Sequence, residues 1–261
     1  MVETVRTALT IAYLGGGFAG WQVQPDARTV QGELQRALER LAGRPVRLTG
    51  AGRTDAGVHA AAQVAHADLP ASIPLPGLRA ALNGMLPLDV RVLRARRVAP
   101  DFHASRSAVA KRYRYRLAAG AALEPWEALR TWLLPYRLDA AMMAAAAGFL
   151  AGTHDFAAFA LSGHSGTGRR GCVRTVHRVE LRRRGRRLAI TVEGDGFLRG
   201  MVRRIAGALV EIGRGARPAS WVADLLADPA TRPPAPTAPP HGLTLEKVFY
   251  GRREAKGERR E

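Results

Sequence analysis

The 261 residues carry 40 lysines and arginines against 22 aspartates and glutamates, a formal net charge of +18, with 47% hydrophobic and 24% charged residues. This is globular composition with core enough for one large domain or two small ones, and the single cysteine, Cys172, excludes an internal disulfide and a cysteine-built zinc site. The opening Met-Val-Glu-Thr-Val-Arg lacks the basic cap and apolar run of a secretory signal, and no segment approaches the ~18 apolar residues that span a bilayer, so the expectation is a soluble cytoplasmic protein with no membrane partner.

Apolar residues Val5, Ala8, Ile11 and Tyr13 predict a strand over about 5–13. A helix follows from Thr29 as N-cap, with Val30, Leu34, Leu38 and Leu41 on one face and Gly43 just past its end. Short strands at about 45–50 and 60–69 bracket a Gly-rich turn, and a helix at about 76–86 and a strand at about 89–98 complete a β-α-β-β-α-β order. The second half repeats that rhythm, with a strand at 111–117 and an alanine-rich helix at about 139–151. His154-Asp155 reads as loop. Val179 and Leu181 on one side and Leu188, Ile190 and Val192 on the other predict a hairpin whose tip is Arg182-Arg183-Arg184-Gly185-Arg186-Arg187. Helices at about 197–213 and 218–227, a proline-rich loop from Pro229 to Pro240 and a strand at Leu243–Tyr250 finish the fold. The fold class is therefore α+β, two ferredoxin-like halves, with domains at 1–106 and 107–250 and a disordered charged tail at 251–261.

All but Lys111, Lys247 and Lys256 of the basic residues are arginine, whose planar fork binds phosphate and stacks on bases. They are spread over strands, turns and helices, which points to a nucleic acid rather than to one amphipathic membrane-surface helix. Gly15, Gly17 and Gly20 match a dinucleotide fingerprint only formally, because Trp21 to Pro25 intervene where a helix should open. The seven histidines show no ligand spacing, so no metal is expected. No serine sits in a nucleophile elbow.

The segment Gly52-Arg53-Thr54-Asp55-Ala56-Gly57-Val58-His59 sets one carboxylate among turn residues. By elimination Asp55 is the candidate nucleophile or base. The helix with Leu198, Met201, Val202, Ile205, Leu209 and Ile212 on its apolar stripe puts Arg203 on the far side with Ala206, Gly207 and Val210, a neighbourhood that suggests the lining of a cleft. Tyr113 and Tyr115 share one face of their strand, opposite Arg112, Arg114 and Arg116.

In order, Phe18-Ala19-Gly20-Trp21-Gln22, Arg28-Thr29-Val30-Gln31-Gly32-Glu33-Leu34, the Asp55 segment, Phe102-His103-Ala104, Lys111-Arg112-Tyr113-Arg114-Tyr115, His154-Asp155-Phe156, Met201-Val202-Arg203 and Ala238-Pro239-Pro240-His241-Gly242-Leu243 make the chain resemble the pseudouridine synthases, most closely the bacterial tRNA pseudouridine synthase A family. The resemblance spans about residues 7–250. It implies a continuous, mainly antiparallel sheet with a central active-site cleft, a homodimer, and cofactor-free isomerisation of uridine to pseudouridine at positions 38, 39 and 40 of the tRNA anticodon stem-loop. It also implies that Asp55 is the essential carboxylate, Tyr113 the active-site tyrosine, Arg203 the partner of the aspartate and Leu243 the apolar residue under the base. Arg53 would hold a flipped nucleotide, while Arg182, Arg183, Arg184, Arg186 and Arg187 would grip phosphates. The carboxylate could attack C1′ of the ribose, attack C6 of the base, or remove the 2′ proton. Two positions depart from the family's pattern: Ser105-Arg106 stands where Arg and then an aromatic are usual, and Leu14-Gly15 where Asp-Gly is common. The alternative is a non-catalytic RNA-binding protein or RNA chaperone on the same fold, in which a carboxylate facing RNA would only weaken binding.

Overall fold

The computed structural model describes residues 3–120, 122–161, 171–229 and 234–251, so the expected disorder of the charged tail falls, from Arg252 onward, outside the described residues. In chain order the elements are β1 (Thr4–Tyr13), α1 (Val30–Ala42), β2 (Thr49–Gly50), β3 (His59–Pro70), α2 (Leu75–Met85), β4 (Val90–Arg97), β5 (Ala108–Ala119), α3 (Pro125–Ala128), β6 (Trp132–Leu134), α4 (Ala140–Gly148), β7 (Gly152–Asp155), β8 (Val173–Arg184), β9 (Arg187–Gly194), α5 (Met201–Gly213), α6 (Trp221–Ala227) and β10 (Leu243–Tyr250). The fold is mixed α+β. No helix among the described residues is long and apolar enough to cross a membrane.

The chain divides into two compact units, one of Met1–Ala110 with Leu245–Glu261 and the other of Lys111–Thr244. In the first unit β1 pairs antiparallel with both β3 and β4, from Thr4↔Pro70 to Tyr13↔Ala60 on one side and from Thr7↔Arg97 to Tyr13↔Val90 on the other. With β2 antiparallel to β3, the order β4-β1-β3-β2 is that of a ferredoxin-like unit, and β10 also lies beside β3. Helix α1 starts where the sequence sets it: the Thr29 side chain accepts from Gly32 N at 3.3 Å, and Gly43 closes the helix in the left-handed region at φ 65°. Its apolar face buries Val30, Leu34 and Leu38 with Leu9 and Ile11 of β1 in the core.

The expected strand over 45–50 contracts to Thr49–Gly50 because α1 takes the backbone groups that a ladder would have used. Gln35 Nε2 donates to Val46 O at 3.2 Å, Gln31 Nε2 donates to Leu48 O at 2.8 Å, and Glu39 Oε1 accepts from Val46 N at 3.3 Å.

In the second unit the order is β5-β9-β8-β7, with β6 parallel to β5. β5, α4, β8, β9 and α5 form the first five elements of a second ferredoxin-like unit, while α3, β6 and β7 are additions that the sequence reading did not foresee. His154 and Asp155, read as loop, lie on β7, which pairs with β8 through Gly152↔Val176 to Asp155↔Val173 and a 2.8 Å hydrogen bond between the hydroxyls of Thr153 and Thr175. α4 packs on α5 and β8, burying Met143 and Ala146 with Ile205, Leu209 and Ile212.

Candidate active site

Asp55 lies in the first unit, half-buried, on the loop between β2 and β3. Its carbonyl accepts from Val58 N at 3.1 Å, closing a four-residue turn with Gly57 at φ 79°, the third position that a type II turn reserves for glycine. The turn is held from several sides. Trp21 N donates to Thr54 O at 3.1 Å, and Ala51 N donates to Val64 O at 2.7 Å. His59, buried at the start of β3, accepts from Gly15 N on Nδ1 at 3.0 Å, which leaves its proton on Nε2 when neutral. The first turn of α1 completes the frame, because Val30 N and Gln31 N donate to Gly20 O and Trp21 O at 3.2 and 3.0 Å.

The glycines that mimic a dinucleotide fingerprint belong to this frame. A Cβ on Gly15 would lie 2.1 Å from Val58 O, and one on Gly20 would lie 2.8 Å from Thr54 O. Their bare backbones let the 15–20 segment close on the Asp55 loop. Arg53 is exposed on the same loop.

Phe102 and His103 sit elsewhere in this unit, against β3. Arg6 forms a bidentate pair with Asp68 at 2.9 Å on each oxygen and donates to Pro100 O and Phe102 O at 2.6 and 3.2 Å. Hydrogen bonding to Arg6 holds the Asp68 carboxyl below its usual range. His66 packs with a ring-centroid separation of 4.9 Å on His103 and accepts from Ala104 N on Nδ1 at 3.2 Å. Burial pushes His66 down to about 4, with the charges of His103 and Arg6 acting in the same direction.

In the second unit Tyr113 and Tyr115 face the core from β5, opposite Val192 and Ile190 of β9 in register, while Arg112 on the other face pairs with Glu193 at 2.7 Å. The Tyr113 ring meets Phe197 edge-on at 5.2 Å. Arg203, on α5, donates from Nε to Ala238 O at 2.8 Å, and Ala238 N donates back to Arg203 O at 3.1 Å. The segment that receives Arg203 also receives Tyr115, whose hydroxyl donates to Pro239 O at 2.8 Å. Burial raises the Tyr115 pKa, and the charge of Arg203 opposes that rise. Leu243 follows at once, buried at the start of β10, and a Cβ on Gly242 would lie 2.5 Å from the Tyr115 ring.

The Arg203 side of α5 therefore differs from the cleft lining that sequence suggested. Ala206, Gly207 and Val210 are buried, and the chain at 236–238 closes on Gly207, where a Cβ would lie 2.0 Å from Pro236 O.

The basic hairpin turns at Gly185, φ 58°, with Arg184 opposite Arg187. Its five arginines are exposed but unequal. Arg187 pairs with Glu127 at 2.5 Å and Glu124 at 3.4 Å, Arg186 donates to Gly120 O at 2.5 Å, and Arg182 pairs with Glu180 at 3.0 Å. Among the described residues, Arg183 reaches only Gly185 O within its own turn, at 3.0 Å. Among the described residues no group of three or more His, Cys, Asp or Glu gathers to hold a metal.

A family model described as tRNA pseudouridine synthase matches residues 9–105 and 146–251. The chain belongs to the tRNA pseudouridine synthase family. Among its relatives, a protein of Solidesulfovibrio magneticus named tRNA pseudouridine synthase A is 48% identical over 263 residues, covering 94% of this chain and 91% of that one. Proteins of the same name from Frankia casuarinae and Myxococcus xanthus are 46% and 44% identical, each over 94% of this chain and 89% and 92% of theirs. Membership makes the protein an isomerase acting on uridine in tRNA, and the Asp55 loop, Tyr113, Arg203 and Leu243 all fall in or between the matched segments. Sequence reading singled out these four, but it gave no holding role to Trp21, which donates to Thr54 O, or to Tyr115, which donates to Pro239 O. Tyr115 was visible as a partner of Tyr113 on one strand face, although its bond to Pro239, 124 positions away, had no local signal.

Proposed function

We propose that the protein isomerises uridine to pseudouridine at positions 38, 39 and 40 in the anticodon stem-loop of tRNA, acting as a homodimer with Asp55 as its essential carboxylate. The reaction breaks the N1–C1′ bond, forms a C5–C1′ bond, and moves a proton from C5 to N1, so the uracil leaves and re-enters the same ribose without any external reactant. Asp55 serves as nucleophile at C1′ or C6 or as base toward the 2′ proton. Arg203 partners the carboxylate, and Tyr113, or a water beside it, accepts the C5 proton. Tyr113 and Leu243 give the extruded base a ring and an apolar surface that offset the cost of unstacking, and Arg53 steadies the flipped nucleotide.

The observation that carries this reading is the frame around Asp55. An exposed turn needs no such bracing, whereas a reacting carboxylate must be held in direction. A protein that only bound RNA would gain nothing from an acid presented in this way. The test is to incubate unmodified tRNA with wild type and Asp55→Ala and map pseudouridine. The variant is expected to bind tRNA and form no product; appreciable product would end the proposal.

A further inference from the structure

The strand pairing beside Asp55 contains an irregularity at one place. β1 and β3 run in register from Thr4↔Pro70 to Ile11↔Gln63 and then slip, so that Tyr13 faces Ala60. A bulge of this kind re-aims the side chain that follows it. Tyr13 is 4% exposed, and its hydroxyl lies 2.8 Å from Thr54 Oγ1 in a buried hydrogen bond. Thr54 directly precedes Asp55, and its carbonyl is already taken by Trp21 N.

Gln63, fully buried on β3, donates from Nε2 to Gly52 O at 2.8 Å. A phenylalanine would fill the same space as the Tyr13 ring, so packing does not account for the hydroxyl. Burial alone disfavours a phenol hydroxyl there unless it is bonded, and its partner Thr54 lies in the Asp55 loop. On the far side of Asp55 the turn to Val58 fixes the chain again. The backbone is thus pinned at residues 52, 54 and 55, which fixes the direction in which the Asp55 Cα–Cβ bond leaves the loop.

We propose that Tyr13 is a positioning residue for the reaction: through Thr54, and together with Gln63, it fixes the direction in which the Asp55 loop presents its carboxylate. This rests on Asp55 being the essential carboxylate. Tyr13 touches no reacting atom. Its loss should therefore lower turnover while leaving the grip on tRNA intact, since a misdirected carboxylate costs rate and phosphate contacts are made elsewhere.

The experiment compares wild type, Tyr13→Phe, Thr54→Ser, Thr54→Val, the Tyr13→Phe/Thr54→Val double variant and Asp55→Asn, using full-length protein and unmodified tRNA, with thermal unfolding as a check of the folded fraction. Tyr13→Phe is expected to lower kcat about tenfold or more with KM changed by less than about twofold. Thr54→Ser, which keeps the hydroxyl, should restore most of the rate that Thr54→Val loses. The double variant should lose no more than the worse single one, as expected when both substitutions break one bond.

Wild-type kcat in Tyr13→Phe overturns the proposal, as does a loss matched by the unfolded fraction or carried by KM. If Thr54→Val does not fold, the kcat and KM of Tyr13→Phe decide alone. Product from Asp55→Asn would instead remove the reading beneath the proposal, and that arm reports it independently of Tyr13.

Discussion

Gly20 and His66 each owe their role to a neighbour far along the chain. At φ 104° and within 2.8 Å of Thr54 O for any added Cβ, Gly20 cannot be replaced by an L residue without moving the Asp55 loop. What looked like a nucleotide-binding glycine pattern is the close approach of two backbones. His66 titrates low, at about 4, because it is buried beside His103 and Arg6, with Asp68 only partly opposing them. In the unfolded chain the same imidazole takes its proton near 6.5. The native pKa lies below the unfolded one, so the unfolded state binds the proton first, and stability present above about pH 6.5 is lost as pH falls toward about 4. The expected loss is about 2–3 kcal/mol by pH 4. Urea unfolding at several pH values checks it against His66→Asn, whose side-chain oxygen can still accept from Ala104 N. The variant should lose less stability than wild type over that range; parallel curves would show that His66 is not the group responsible.

At the scale of elements, the β8–β9 hairpin shows that a run of like charges need not act as one. Arg186 and Arg187 are spent on Gly120, Glu124 and Glu127, which tie the tip to the start of α3, while Arg182 shares Glu180 with Arg178. Phosphate contact is therefore expected mainly from Arg183 and Arg184, with Arg182 assisting. Replacing Arg182, Arg183 and Arg184 together by glutamine should weaken tRNA binding most at low salt. It should also reduce the slope of log affinity against log salt by up to about three, one for each lost phosphate contact. Arg187→Gln should change that slope less. Equal slopes for wild type and the triple variant would make the hairpin a structural element. α5 teaches a related lesson, since Gly207 on its second face is closed over by the 236–238 segment, and Arg203 is oriented by the same segment through Ala238.

For the whole molecule, the charge of +18 bears on association rather than on fold. Filter binding between about 50 and about 200 mM salt should show tRNA affinity falling by about tenfold or more, and an affinity indifferent to salt would contradict a phosphate-led interface. The sequence by itself determined the order and kind of the long elements, from the Thr29 cap and Gly43 stop of α1 to the alternation in β5 and the last strand at Leu243–Tyr250. It also determined the candidacy of Asp55, because caps, periods and turn glycines act over a few residues. Short pieces such as α3, β6 and β7 carry too few residues to show a period. Only the tertiary structure decided that α1 side chains, not a strand partner, satisfy the backbone at 46–48, and that Gly15 and Gly20 serve the Asp55 loop. It alone set Tyr13 on Thr54, 41 positions away. Those choices depend on which surfaces exclude water together, and nothing within a local window of the chain records that.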